Sequence, residues 1–155
     1  MDDPLERAEL IYLFGMAFQL LQNSFVGLLD ALGYAELRPV HGMVFQLLRD
    51  GGATSTELAQ QLGVTKQAAG QIVGYLEKRG YVLRTGHADG GRRRLVVLTA
   101  KAREHLAIAG SVLAGLEGRL AEHVGAADLA ALRRALAEVI RELGGTELPP
   151  LRPIW

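Results

Sequence analysis

Two short helical segments separated by Gly63-Val64-Thr65 constrain the fold of this chain more than any other feature. The first segment opens with Thr54-Ser55-Thr56-Glu57, which forms a capping box. In it the Thr54 hydroxyl accepts from the Glu57 amide, and the Glu57 carboxylate accepts from the Thr54 amide. Gly63 is typical of a helix end, and Thr65 caps a second helix that runs to Arg79. Two helices joined by so short a glycine-containing turn predict a helix-turn-helix.

The residues after this pair follow a strand pattern. Tyr81-Val82-Leu83-Arg84 and Leu95-Val96-Val97-Leu98 are β-branched or aromatic runs, and Asp89-Gly90-Gly91 between them favours a hairpin turn. A hairpin that follows a helix-turn-helix is a wing.

Long helices are predicted on both sides of this unit. One spans residues 4 to 32 with Pro4 in its first turn, and it is apolar on more than one face, which points to a subunit partner. The others run from Ala100 to Val124 and from Gly125 to Gly144-Gly145. We therefore predict a mainly α fold with a small β-hairpin (α+β): a winged helix-turn-helix domain at 37–99, and a helical dimerisation region formed by 1–36 and 100–155.

Charge is distributed unevenly along the chain. Lys plus Arg and Asp plus Glu are 17 each, but residues 65 to 103 contain nine basic and two acidic side chains. A compact basic segment indicates a polyanionic partner, and a merely solvated charged face is the alternative.

The sequence favours no catalytic chemistry. It has no cysteine, no serine in a Gly-x-Ser-x-Gly elbow and no phosphate-binding glycine loop. Its four histidines lack the spacing of a helical metal pair. We therefore expect neither an enzyme nor a cofactor nor a metal site.

The same sequence predicts a soluble, cytoplasmic protein. The most apolar run, Leu10 to Leu21, has 12 residues, fewer than the roughly 18 of a membrane span. The acidic start differs from the basic opening of a signal peptide. We expect no membrane partner.

Double-stranded DNA is the partner that the helix-turn-helix best fits. The second helix would enter the major groove by its N-terminal end, with Gln67 or Gln71 bonding an adenine edge and Ala68 touching a thymine methyl. Hydroxyls and amides of the preceding helix would meet a phosphate, and the wing arginines would reach the backbone or minor groove. The predicted DNA contacts are Ser55, Thr56, Thr65, Lys66, Gln67, Ala68, Gln71, Arg92, Arg93 and Arg94.

Another helix is predicted after Arg38, with Pro39 at its first position. A small-molecule site is predicted where this helix, the helix of residues 4 to 32 and the start of the helix at Ala100 converge. Tyr12, Phe18, His41 and Phe45 would line it, and the polar ends of Tyr12 and His41 would orient an aromatic or amphipathic ligand. The alternative is that these residues are ordinary core.

Three motifs together resemble the MarR family of bacterial winged-helix transcription regulators. They are Thr54-Ser55-Thr56-Glu57-Leu58-Ala59, the segment Leu76-Glu77-Lys78-Arg79-Gly80-Tyr81-Val82, and the wing sequence Arg92-Arg93-Arg94-Leu95-Val96-Val97-Leu98-Thr99. The resemblance covers about residues 37 to 106. It implies an obligate homodimer on a pseudo-palindromic operator, usually a repressor, often released from DNA by a small ligand.

The chain departs from the family pattern at the wing and on the recognition helix. Asp89 lies one residue earlier than the usual wing aspartate, and Gly70 and Gln71 replace a common Ser and Arg. Three alternatives to a ligand-controlled regulator stay open: a ligand-independent regulator, a winged-helix protein-interaction module, and a small enzyme with a pocket between its helices.

Overall fold

The computed structural model describes residues 3–86, 94–147 and 149–151. In these ranges there are six α-helices and one antiparallel pair of strands. The elements are α1 (Leu10–Leu29), α2 (Pro39–Leu47), α3 (Ser55–Leu62), α4 (Lys66–Lys78), β1 (Val82–Gly86), β2 (Arg94–Leu98), α5 (Ala100–Val124) and α6 (Ala126–Gly144). The mainly α fold with a small hairpin is confirmed.

The helix-turn-helix forms by the local bonds that the sequence predicted. The Thr54 amide donates to Glu57 Oε2 at 2.7 Å, and the Glu57 amide donates to Thr54 Oγ1 at 3.2 Å. Gly63 ends α3 with φ +69°, a left-handed conformation that glycine adopts without steric cost. Thr65 Oγ1 then accepts from the Ala68 amide at 3.1 Å and starts α4.

The hairpin packs against the helix-turn-helix through one extra backbone bridge. Val82 pairs with Leu98 and Gly86 with Arg94, and Ala53 exchanges two backbone hydrogen bonds with Val96. Gly52 permits this approach, because a Cβ there would lie 2.9 Å from Val97 Cγ1. The predicted turn 89–91, Arg92 and Arg93 lie outside the described residues.

A hydrophobic core closes inside this unit. Side chains from α2, α3, α4, both strands and the start of α5 bury one another. The largest of those that are fully buried are Tyr81, Phe45, Leu48, Leu58, Leu76, Val44, Val73, Val82 and Val96.

The N-terminal helix differs from the prediction at both ends. Pro4–Arg7 form a separate 3-10 turn capped by Asp3, and extended backbone at Ala8 and Glu9 delays the start of α1 to Leu10. Pro4 is compatible with the first turn of either helix type, so it did not distinguish them. At the other end a π-helical turn, Asp30–Tyr34, carries the helix past residue 32 and includes Gly33 at φ +97°.

This continuous helix weakens the length argument against a membrane span. Leu10–Tyr34 is one helix of 25 residues, and its most apolar window has a mean hydropathy of 1.3. By length and composition alone, this helix could cross a membrane. The 12-residue run from Leu10 to Leu21 underestimated the length of this helix, because the polar residues that follow the run do not end it. A core helix of a soluble protein can have the same length and composition, and α1 packs against α5.

The last two helices form an antiparallel pair. Gly125 separates α5 from α6 with φ +96°, and Arg133 Nη2 donates to Glu117 Oε2 across the pair at 2.7 Å. No residue of α6 is buried, and Leu29 alone is buried in α1. Both helices therefore leave apolar side chains uncovered.

Candidate DNA-binding interface

Helix α4 divides its residues between the core and solvent. Ala69, Val73 and Leu76 recur at helical spacing and are buried. Gln67 and Gln71 are four residues apart, so they lie above one another on the opposite face, where both are exposed. The first turn adds exposed Thr65 and Lys66, with Ala68 half-buried.

A groove joins the N-terminal ends of α3 and α4 to the base of the wing. Its volume is about 750 Å³. It is lined by Thr54, Ser55, Thr56, Glu57, Gln60, Lys66, Arg84 and Arg94. Four of the predicted DNA contacts, at positions 55, 56, 66 and 94, are thus brought together although they come from three elements.

The groove combines cations with the start of a helix. The amides at the start of a helix can donate to an anion, and the helix dipole favours negative charge at this end of α3. Lys66, Arg84 and Arg94 add three positive side chains. This arrangement suits a phosphate group, with Gln67 and Gln71 exposed nearby on α4.

Arg84 and Gln60 are groove residues that the sequence analysis did not select. Arg84 Nε lies 3.3 Å from Glu77 Oε2, and that ion pair joins β1 to the end of α4. The basic segment was visible in the sequence, but only the pairing of β1 with β2 turns Arg84 toward the groove. Among the wing arginines of the prediction, Arg94 is described and is exposed.

The structure does not gather the four predicted ligand residues into one cavity. His41 and Phe45 are buried in the winged-helix unit, whereas 63% of Tyr12 and 37% of Phe18 are exposed on α1. The His41 ring stacks on Tyr75 at 4.7 Å, and its Nδ1 accepts from the Arg38 amide at 2.8 Å. Burial, followed by the charges of Arg79 and Arg38, lowers the pKa of His41.

An aromatic cluster that the sequence analysis missed surrounds His105 and includes Phe45. The ring of His105 lies 4.5 Å from Tyr34, 5.5 Å from Phe45 and 6.4 Å from Tyr81. Among the described residues, buried His105 Nδ1 has no hydrogen-bond partner, and burial lowers the pKa of this histidine. The cluster lies at the predicted convergence of helices, but its members come from chain positions too far apart to be recognised as one site.

An apolar cavity of about 470 Å³ lies between the end of the N-terminal helix and α5. It is lined by Leu28, Ala31, Leu32, Val112, Gly115, Leu116 and Arg119. None of the four predicted ligand residues lines it.

Comparison with known families and structures agrees with this geometry. Residues 37–93 match the model of the MarR family, the range that holds the helix-turn-helix and most of the wing. No curated protein sequence matches the chain significantly.

Solved structures extend the likeness beyond that range. The chain is 28% identical to the transcriptional repressor CouR bound to a 23-mer DNA duplex, with 90% of this chain and 97% of CouR covered and a TM-score of 0.69. It is 26% identical to the Mycobacterium tuberculosis MarR family protein Rv2887 in complex with salicylic acid, covering 85% and 96% of the two chains, with a TM-score of 0.66.

A mutant of Escherichia coli MarR shows the same fold at 22% identity, with a TM-score of 0.72 and coverage of 85% and 96%. The likeness therefore includes most of the flanking helices as well as the DNA-binding unit. The segment 37–93 is thus similar to the MarR family of winged-helix transcription regulators, and most of the remaining chain resembles solved structures of that family in fold.

Proposed function

We propose that this chain is a cytoplasmic, dimeric repressor that binds a pseudo-palindromic DNA operator and is modulated by a small lipophilic or aromatic ligand. The groove between α3, α4 and the wing carries the proposal, because it joins a helix N-terminus to three cations beside an exposed recognition face. CouR, a repressor of similar fold, is bound to a DNA duplex.

Each predicted DNA contact has a role in this proposal. Ser55, Thr56, Thr65 and Lys66 would bind phosphates, while Gln67, Ala68 and Gln71 would read base edges in the major groove. Arg94, together with Arg92 and Arg93 from the segment outside the described residues, would contact the backbone or minor groove. The domain at 37–99 would thus hold all the DNA contacts.

Dimerisation through 1–36 and 100–155 is supported by what these helices leave uncovered. Large apolar side chains are exposed on α1 and α6, among them Ile11 (73%), Leu20 (67%) and Leu143 (83%). Contiguous apolar surface of this kind marks an interface. The glycines of α5 add to this, since a Cβ at Gly110, Gly115 or Gly118 would meet no atom of the described chain within 4 Å.

The apolar surface of α1 is better suited to packing against a second copy of this chain than against lipid. One side of α1 already contacts α5, and the helix carries polar Gln19, Gln22 and Asn23 within its length. A helix exposed to hydrocarbon would bury these amides without partners, at a cost of several kcal/mol. We therefore infer a soluble protein.

Ligand control is supported by the salicylic acid complex of Rv2887. A carboxylated aromatic compound is accordingly the probe we choose. A ligand near Tyr12, Phe18, His41 and Phe45 would change DNA affinity only by binding one arrangement of the two recognition helices better than the other.

Binding to DNA is tested first by selection from random duplexes, followed by fluorescence anisotropy on the selected site. We expect the selected duplex to bind about 10³-fold or more tightly than a random one. The logarithm of the affinity should fall linearly with the logarithm of salt concentration, by about 0.9 per phosphate contact. A protein-interaction module would show neither property, and that result would overturn the proposal.

Repression and ligand control need two further measurements. Transcription from a promoter that overlaps the selected site should fall when the protein is added; an increase would identify an activator instead. Salicylate at millimolar concentration should weaken the complex with DNA. If salicylate and related aromatic acids leave the complex unchanged, the chain is a ligand-independent regulator.

A further inference from the structure

The segment between the N-terminal helix and α2 contains one side chain with contacts to three other elements. Glu36 lies in this segment, two residues before the cap of α2. Its Oε1 accepts from the Tyr81 hydroxyl at 2.7 Å and lies 4.0 Å from Lys101 Nζ. Its Oε2 lies 3.5 Å from Arg79 Nε. One carboxylate thus links the end of α4, the start of β1 and the start of α5.

The backbone of Glu36 adds a fourth link. Its carbonyl oxygen accepts from the Tyr75 hydroxyl at 2.6 Å, and Tyr75 lies in the last turn of α4. The Arg79 guanidinium lies 3.5 Å from the centroid of the Tyr75 ring. Tyr75 of α4 and Arg79, which caps the C-terminal end of α4, therefore contact each other as well as Glu36.

Lys101 completes the connection to the dimerisation helices. Its ammonium donates to the Arg79 carbonyl at 2.8 Å and lies 4.3 Å from the centroid of the Tyr81 ring. Lys101 is the second residue of α5. The C-terminal end of the recognition helix is thus bonded both to the end of the N-terminal helix and to the beginning of α5.

These bonds are better suited to fixing an angle than to stabilising the fold. The side chains of Glu36, Arg79 and Lys101 are 39%, 36% and 50% exposed, and exposed ion pairs contribute little to stability. A network that joins rigid helices at several points nevertheless restricts how one can rotate against the others. Burial, followed by the hydrogen bond to Glu36, raises the pKa of Tyr81, so its phenol stays a donor at neutral pH.

We propose that Glu36 is a positioning residue that fixes the recognition helix relative to the dimerisation helices and thereby determines the operator half-site spacing that the dimer selects. This inference rests on the proposed function, since it requires two recognition helices on one DNA duplex. Glu36 itself is not among the proposed DNA contacts.

The test uses duplexes in which two selected half-sites are separated by increments of one base pair around one helical turn. The wild-type dimer should show a sharp optimum. For Glu36→Ala we expect about a tenfold loss at that optimum, with affinities at neighbouring separations retained, so that the profile flattens. On a duplex with a single half-site, affinity should stay within about twofold of wild type.

Two further variants make the measurement specific. Glu104→Ala removes the same charge from an exposed position on α5 and should keep the wild-type profile. Glu36→Gln keeps an acceptor for Tyr81 while losing the charge that faces Arg79 and Lys101, so its profile should be intermediate. It also carries the test if Glu36→Ala lowers the melting temperature.

Each possible failure has its own meaning. Matching sharp profiles for Glu36→Ala and Glu104→Ala would overturn the inference. Equal losses by Glu36→Ala on one and two half-sites would also overturn it, because Glu36 would then act within a single DNA-binding unit. A wild-type protein that selects no duplex would instead remove the proposed function.

Discussion

The winged-helix unit and the flanking helices bury their apolar residues to very different extents. In the unit, Val44 and Phe45 of the short helix α2 and Leu48, which follows it, are each 0% exposed. In α1, twice as long, Leu29 is the one buried residue, and α6 has none. The two regions have similarly apolar helices, so composition does not explain the difference. The unit closes its core within one chain, whereas the flanking helices leave apolar side chains exposed, which is the surface that the proposed dimer would cover.

The largest effect should come from the core of the winged-helix unit. Phe45→Ala should destabilise the protein by about 3–5 kcal/mol, because it removes a fully buried ring and leaves a cavity. Urea denaturation of this variant and of Phe14→Ala, whose ring is 39% exposed, measures the contrast. Equal losses would mean that Phe14 is buried as deeply in the assembled protein. Phe45→Ala is for the same reason unsuitable as a test of ligand binding.

The second largest effect should be on dimerisation, and it should come from substitutions in the flanking helices. Leu132→Lys places a charge on the apolar face of α6, where Leu132 is 51% exposed, and should weaken the dimer by about 2 kcal/mol or more. Leu83→Lys is the control, since Leu83 is an equally exposed leucine (54%) on β1. Sedimentation at micromolar concentration should detect monomer in the first variant only. A wild-type protein that sediments as a stable monomer would refute the dimer.

Measurements of DNA affinity should distinguish the residues of the winged-helix unit that contact bases from those that contact phosphates. Gln67→Ala or Gln71→Ala should cost about 1–3 kcal/mol on the selected duplex and little on random DNA. Arg94→Ala should weaken binding to both duplexes similarly and reduce the salt slope by about 1. Anisotropy titrations at several salt concentrations distinguish the two patterns. If both groups of variants lose equally on both duplexes, the division between base and phosphate contacts is wrong.

Lowering the pH should destabilise the winged-helix unit, and we expect this change in stability to be the smallest of the predicted effects. His41 and His105 both have a lowered pKa in the folded chain, so the unfolded chain binds more protons below about pH 6.5. Their contribution to stability is complete above that pH and is lost as the pH falls through the folded-state values. The free energy of unfolding at pH 7.5 and at pH 5.5 measures the loss.

Histidine variants assign this pH dependence. The double variant His41→Gln, His105→Phe should show a weaker dependence on pH, while His123→Gln, at an exposed position of α5, should keep the wild-type slope. At neutral pH, His105→Phe also removes a buried nitrogen that has no partner in the described part of the chain, so it should cost little stability. A slope unchanged by the double variant would assign the acid sensitivity to other groups.

Local sequence determined the helix-turn-helix well. The capping box, the glycine end of α3 and the Thr65 cap use bonds between residues three to five positions apart, so their partners can be read directly from the sequence. The two strands of the hairpin were predicted from their β-branched and aromatic runs, although the residues that pair, such as Val82 and Leu98, are far apart in the sequence. The start of α1 was not, because a proline fits a 3-10 turn as well as an α-helix.

The sites built from distant residues required the tertiary structure. Arg79 and Lys101 were counted in a basic segment, yet both face Glu36, more than 40 positions earlier in the chain. His41 and Phe45 were predicted to line a pocket, which stays a prediction, and their burial in contact with Tyr75 and Tyr81 is visible only in the structure. The sequence by itself determined which helices and turns form, because those bonds are local. Only the tertiary structure decided which charges are paired, which aromatic residues are core and which apolar faces stay uncovered, because each depends on contacts between elements far apart in the chain.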